Sequence, residues 1–522
     1  MRRFAVPGAL MFMFAPVHGA ELDRVSIDTG VLLGASDSGV RMFKGVPYAA
    51  APVGQLRWRP PQPAARWTEP RQATEYGPAC PQFVPAGLTD PLRYGAAPEP
   101  TNEDCLTLNV WAPKNAANAP VMVWVHGGSG RMGAGSLPYY DGSSFARDGI
   151  VLVTINYRLG NLGTFAHPAL TRAAAAAEPL VAYSLMDQMG ALRWVRRNIA
   201  AFGGNPRNVT LFGESAGGLT TLVLMTIPSA RDLFHKAIVE SGGGWFPPSD
   251  RKNAEKCGIE VATKLGLPGI EATPEQLRAL PVDKLKTVDQ ICSSLSDGRL
   301  ISEATTVALA AGRAMDIPLI IGINSGEASL IDHGDGIARA KVAMKSALKD
   351  ARPIYGNEMS EDDLVRVLFK DSLLMAPARW VAGRTWRKQP AYLYYLDYIE
   401  QERRPGQRTV PHGSDIFYVF GTFANRPDGG PPATAADQAI GAMIHTCWVN
   451  FARTGQPSCS GADPWPSYTQ ENDSWMVFGD HGGRIVQGLM AKQLDWQEGR
   501  VRWLIWLARM QSAWKRAFSW WN

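Results

Sequence analysis

Asn208-Val209-Thr210-Leu211-Phe212-Gly213-Glu214-Ser215-Ala216-Gly217-Gly218-Leu219-Thr220-Thr221-Leu222-Val223-Leu224-Met225 decides the reading of this chain. Residues 209–212 form a short β-branched and aromatic run, and an apolar helical pattern starts at Gly218. Between them lies Gly213-Glu214-Ser215-Ala216-Gly217, a serine with glycine two residues to either side. A strand-to-helix turn this sharp leaves no room for side chains at the glycine positions. It forces the serine backbone into a strained conformation and holds the hydroxyl where a base can reach it.

Outward from this turn, further continuous apolar runs lie at 120–125, 150–155, 236–240, 317–323 and 391–395. Such runs, rather than alternating ones, suit parallel strands covered on both faces. Helical patterns separate them. One is Leu185 to Phe202, with Asp187, Arg193, Arg196 and Arg197 read as its polar face. Strand and helix in alternation predict an α/β fold, with a central, mostly parallel sheet and helices on both faces. Residues from about 250 to 316 and from 327 to 389 are richer in helix and loop patterns and read as insertions forming a cap. With 522 residues, length alone suggests about three domains. The continuous alternation instead predicts one large domain over 21–522.

Met1-Arg2-Arg3, the mostly apolar stretch Phe4 to Val17 and the small residues Gly19 and Ala20 predict an export signal over 1–20. The expected location is therefore secreted or periplasmic. Six cysteines fit an oxidising compartment. They fall along the chain as neighbouring couples, Cys80 with Cys105, Cys257 with Cys292 and Cys447 with Cys459, and their connectivity stays open. No C-x-x-C occurs, which argues against a zinc knuckle or dithiol centre. A net charge of +5 with no dense basic block argues against nucleic-acid binding. The segment from Arg502 through Trp521 is amphipathic and basic; it is read as a terminal helix docked on the body, ahead of a membrane-surface or partner helix, and no stable membrane insertion is expected. A monomer or weak homodimer is expected.

A serine hydroxyl needs a base within hydrogen-bond reach and a carboxylate to orient that base. In the α/β-hydrolase arrangement the chain order is serine, acid, histidine. The histidines at 18, 126 and 167 precede Ser215, and His235 follows it too soon. Glu327 lies in a glycine- and asparagine-rich turn just beyond the strand at 317–323, the place where such sheets put their sites. His333 is then too near Glu327 to come from a separate loop. His412, in Pro411-His412-Gly413-Ser414-Asp415, lies in a polar turn with glycine beside the ring. His445 falls in a helical pattern, and His481 in a late glycine-rich turn is the runner-up base. The glycine-rich turn His126-Gly127-Gly128-Ser129-Gly130 directly follows a strand. It is expected to aim the backbone N–H groups of Gly128 and Ser129, with that of Ala216, at a developing oxyanion.

Together these pieces resemble the type-B carboxylesterase family over most of the chain. Phe43-Lys44-Gly45-Val46-Pro47-Tyr48-Ala49, Glu103-Asp104-Cys105-Leu106-Thr107-Leu108-Asn109, Asn156-Tyr157-Arg158-Leu159-Gly160, Phe202-Gly203-Gly204-Asn205-Pro206 and His412 to Phe420 are similar to its motifs, in the family's order. The resemblance implies an α/β-hydrolase fold, Ser215 as nucleophile, Glu327 as acid and His412 as base. It also implies oxyanion donors at Gly128, Ser129 and Ala216, a Cys80–Cys105 disulfide, an Arg57–Glu103 ion pair, and Ser241 near the histidine. No metal or organic cofactor is expected.

The sequence departs from the family pattern where a third glycine and a bulky apolar residue are usual: here stand Ser129, Gly130 and Arg131. Arginine pairs bidentately with carboxylates. A solvent-facing Arg131 is the plainer expectation; Arg131 facing the acyl pocket, with Glu214, would contact a small-molecule ester carrying a carboxylate, as in fumonisin-type polycarboxylic esters. The expected function is a serine carboxylesterase. A lipase working at lipid surfaces and a non-catalytic cholinesterase-like binding protein are the alternatives, and the three filled triad positions argue against the last.

Overall fold

The computed structural model describes residues 21–84, 92, 95–245, 251–292, 297–384 and 388–502. The expected export signal and nearly all of the basic, tryptophan-rich end lie outside them.

Among the described residues thirteen strands build one sheet. They are β1 (Glu21–Ile27), β2 (Gly30–Asp37), β3 (Val40–Pro47), β4 (Arg71–Gln72), β5 (Thr107–Pro113), β6 (Ala119–Val125), β7 (Val151–Ile155), β8 (Gly204–Glu214), β9 (Lys236–Glu240), β10 (Leu319–Asn324), β11 (Ala391–Leu396), β12 (Ser474–Gly479) and β13 (Gly482–Gln487). The spatial order is β1-β2-β3-β5-β7-β6-β8-β9-β10-β11-β12-β13, with β4 beside β2. From β7 to β12 every neighbour is parallel. β1, β2, β3 and β5 add an antiparallel flank, and β13 turns back on β12. All six apolar runs read from the sequence are strands of the parallel block.

The alternation of side chains shows why these strands carry no polar face. Val121, Val123 and Val125 of β6 join one core with Val151, Val153, Ile155, Val209, Leu211, Ile321 and Ile323. Met122 and Trp124, from the intervening positions, join another with Leu152, Phe212 and Ile320. Both faces are dry, so both sets must be apolar. The first face is covered by the helices Tyr183–Asn198 and Ala216–Met225, through Leu185, Met189, Leu192, Val195 and Leu222. The second is covered by Phe145, Phe420 and the helix Ala435–Thr454. There Trp124, Phe212 and Phe420 pack with ring centroids 4.8–5.9 Å apart, within the favourable range for aromatic pairs.

Asp187 does not belong to the polar face of its helix: it is fully buried, whereas Arg193, Arg196 and Arg197 are exposed. Its carboxylate accepts two bonds from the Arg158 guanidinium at 2.7 Å and one from the Arg158 backbone N–H at 3.1 Å. Ionic pairing with full hydrogen bonding is what permits a charge at this depth.

Both insertions are helical. Residues 251–310 supply Val261, Ala262, Leu277, Leu280 and Leu285 to a cluster with Trp58, Phe165, Tyr183 and Met186. The later stretch begins as the helices Gly336–Tyr355 and Glu361–Lys370. It then returns to the sheet, where Leu374, Met375, Trp380 and Val381 join the first face's core. The three cysteine couples are disulfides, with Cα–Cα distances of 5.0, 5.3 and 4.6 Å. The Arg57–Glu103 pair forms as well, at 2.8 Å and 2.5 Å. Among the described residues no helix is long and apolar enough to cross a membrane.

Candidate active site

β8 ends at Glu214, and Ser215 turns the chain into the helix Ala216–Met225 with φ 54° and ψ −121°. Few L-residues hold this conformation, so the surroundings must enforce it. The Ser215 N–H donates to Glu240 O at 2.8 Å. A Cβ at Gly213 would stand 2.5 Å from Val125 O, and one at Gly217 would run into the same carbonyl. The glycines are therefore required because β6 passes directly beneath the turn.

Because β6 pairs with β8, the segment after β6 lies alongside Ser215. A Cβ on Gly127 would lie 2.6 Å from Glu214 Oε2 and 3.1 Å from Ser215 Cβ. The next three residues all have positive φ: Gly128 at 90°, Ser129 at 58° and Gly130 at 66°. Serine at the middle position carries the side-chain cost that glycine avoids. Among the described residues the backbone N–H groups of Gly128, Ser129 and Ala216 have no protein acceptor. For Ala216 this is ordinary, as the first helical N–H has no partner within its helix.

Glu327 follows β10 and is fully buried. Its Oε1 accepts Ser241 Oγ–H at 2.5 Å and the Asn324 N–H at 2.7 Å. Its Oε2 meets His412 Nδ1 at 2.5 Å. This contact fixes the proton of a neutral imidazole on Nδ1 and leaves Nε2 as the acceptor. On the other side of the ring Nε2 lies 3.0 Å from Glu214 Oε1. The structure therefore brings Ser241, Glu327, His412 and Glu214 into one chain of contacts that ends beside Ser215. His445 and His481 are elsewhere. His445 is buried against Val419 O, with Asp148 on its other nitrogen, and His481 is exposed in the turn between β12 and β13. Among the described residues no cluster of side chains could hold a metal ion.

Burial pushes the Glu214 carboxyl up to about 8, with Asp415 and Glu327 adding to it and His412 opposing. Burial drives the His412 imidazole down, but Glu214 and Glu327 outweigh it and raise it to about 10. These two results are linked. Protonation of Glu214 removes its attraction for the imidazolium and leaves that of Glu327.

Sequence reasoning missed the polar support around the ring. Glu240 is fully buried and accepts Trp448 Nε1–H at 2.7 Å; burial, then Asp415 and Glu214, hold it well above the usual carboxylate range. Asp415 accepts Asn324 Nδ2–H at 3.0 Å and the Tyr394 hydroxyl at 2.9 Å. The Asn324 amide also donates to Pro411 O at 3.1 Å, and the His412 N–H donates to Ser329 Oγ at 2.9 Å. Neighbours 83 to 91 residues apart in the chain leave no local signal. Arg131 extends to Asp289 of the first insertion and stacks toward Phe83, its cation 6.0 Å from the ring centroid.

The family model described as "Carboxylesterase family" matches residues 22–347 and 339–497. The chain is 35% identical over 483 residues to the para-nitrobenzyl esterase of Bacillus subtilis (strain 168), covering 87% of this chain and 94% of that protein. It is 32% identical over 481 residues to the fumonisin B1 esterase of Sphingopyxis macrogoltabida, covering 85% and 84%. A solved PNB esterase superposes with a TM-score of 0.79 at 32% identity, over 90% of this chain and 98% of the other.

Proposed function

The chain belongs to the carboxylesterase family and is a carboxylic ester hydrolase, and from that premise we propose that it works through an acyl-enzyme on Ser215. The observation that carries this reading is the imidazole of His412, held at Nδ1 by Glu327 and lying against the residue that precedes Ser215. As Ser215 Oγ attacks the ester carbonyl, its proton passes to His412 Nε2. Glu327 orients the ring and stabilises the imidazolium. The carbonyl oxygen takes up the negative charge under the N–H groups of Gly128, Ser129 and Ala216; losing one such donor typically costs about 3 kcal/mol. The C–O bond breaks, the alkoxide leaves with the proton from Nε2, and an acyl-serine remains. Water then attacks the acyl carbon, gives its proton to Nε2, and releases the acid while Ser215 recovers its own proton. Ser215→Ala should abolish hydrolysis with the fold intact, and a serine-directed phosphonate should label residue 215 alone. Near-full activity in the alanine variant would refute the assignment.

For the substrate we infer an ester bearing a carboxylate, with Arg131 as its anchor. The guanidinium already holds one carboxylate, that of Asp289, at the edge of the candidate oxyanion turn. The relative named fumonisin B1 esterase supports this class. A lipase reading would be favoured instead by faster turnover of emulsified than of dissolved esters. The three disulfides support an oxidising compartment, in keeping with residues 1–20 as an export signal.

A further inference from the structure

We propose that Ser329 is a positioning residue for His412, an inference that rests on His412 being the base of Ser215. The loop bearing His412 has no sheet of its own to hold it; it hangs from the turn that carries Glu327. Gly326 and Pro411 form an isolated parallel bridge. Around it each residue of the loop receives one side chain from that turn. Ser325 Oγ accepts the Val410 N–H at 2.9 Å, Asn324 Nδ2 donates to Pro411 O at 3.1 Å, and Ser329 Oγ accepts the His412 N–H at 2.9 Å. The Gly326 N–H adds a bond to Val410 O at 2.8 Å.

These side chains differ in what they reach. Ser325 acts two residues before the histidine. Asn324 also donates to Asp415 and, through its backbone, to Glu327, so its loss would disturb the acid as well. Ser329 acts on the backbone amide of His412 itself. Downstream the Ser414 N–H closes the turn on Pro411 O at 3.1 Å across Gly413, and Asp415 is bonded to Asn324 and Tyr394. Without Ser329 the backbone amide of His412 itself loses its partner, and the histidine is held only through its neighbours. Its ring is then aligned with Glu327 by the side-chain contact only. Shifts of about 1 Å in a reacting group cost up to about a hundredfold in rate.

The charged and titratable groups that face the ring are Glu214 from β8, Glu327 from the turn after β10, and Asp415 from the segment that follows His412. Losing Ser329 would loosen the ring's contact with Glu327 and leave Glu327 itself held by Ser241 and Asn324.

The test is steady-state kinetics of Ser329→Ala and Ser329→Thr on a soluble ester across pH, beside His412→Ala and with thermal unfolding of each. Ser329→Ala should lower kcat about tenfold to a hundredfold with KM within about twofold. The acid limb of kcat/KM should move to lower pH, because an imidazole drifting from Glu327 binds its proton less tightly. Ser329→Thr, which keeps the hydroxyl, should restore both. An unshifted kcat in Ser329→Ala would overturn the inference. So would a loss that tracks the unfolded fraction and leaves the acid limb in place. Activity surviving in His412→Ala would instead overturn the reading of the base.

Discussion

Glu214 Oε1 lies 3.0 Å from Nε2 of His412. Burial raises the Glu214 carboxyl from its ordinary 4.5 to about 8. When ionised it stabilises the imidazolium, as Glu327 also does, so the ring holds a proton more tightly. With His412 as the base, Glu214→Gln removes that attraction and should move the acid limb of kcat/KM to lower pH. For stability the raised carboxyl sets the sign. The native state binds this proton more tightly than the unfolded chain does, so stability is present in acid and declines as pH rises toward 8. An acid limb unchanged in the glutamine variant would exclude Glu214 as a source of the ring's hold on its proton.

Gly127 has no space for a methyl group between Glu214 Oε2 and Ser215 Cβ. Gly127→Ala should displace the turn that presents Gly128 and Ser129. Overpacking of this kind costs about 1–3 kcal/mol, and the misplaced donors should lower kcat about a hundredfold. Melting curves and kcat at saturating ester measure the two effects. An alanine variant with unaltered kcat would show that the turn is not held by this contact.

Arg131 and Asp289 form an ion pair between the candidate oxyanion turn and the first insertion. If a substrate carboxylate binds Arg131, it must displace Asp289. Asp289→Asn should then lower KM for carboxylate-bearing esters and leave neutral ones unchanged. Arg131→Ala should lower the charged-to-neutral preference about tenfold, in line with the loss of a charge-assisted hydrogen bond. A preference untouched by either change would leave the acyl selectivity to other residues.

Asp187 and Arg158 form a pair fully enclosed between a loop and a sheet-covering helix. Removing one partner leaves an uncompensated buried charge, so Asp187→Ala should destabilise the protein by about 3–5 kcal/mol. Denaturant unfolding measures this. A loss below about 1 kcal/mol, the scale of a surface pair, would contradict the burial.

The parallel strands were legible because strands dry on both faces are spelled as unbroken apolar runs. The turn at Ser215 was legible because its glycines answer to a local clash with β6. The antiparallel flank of β1 to β5 escaped the apolar-run reading, since strands such as Gly30–Asp37 alternate buried and half-exposed residues. Asp187 misled for a related reason. A charge within a helix looks solvated until its partner, 29 residues away, is known. Glu240, Asp415 and Trp448 remained hidden because their contacts join segments far apart in sequence, and nothing near them marks a carboxyl that must stay dry.

The bridge between Gly326 and Pro411 places the last step of the long connection after β11 under the control of a different part of the chain. The largely exposed path from Pro405 to Arg408 need only deliver Thr409 and Val410 to a prepared seat. Insertions and deletions there should be tolerated well. That span is where relatives of different length can diverge, and where a tag or probe could be placed without moving the imidazole.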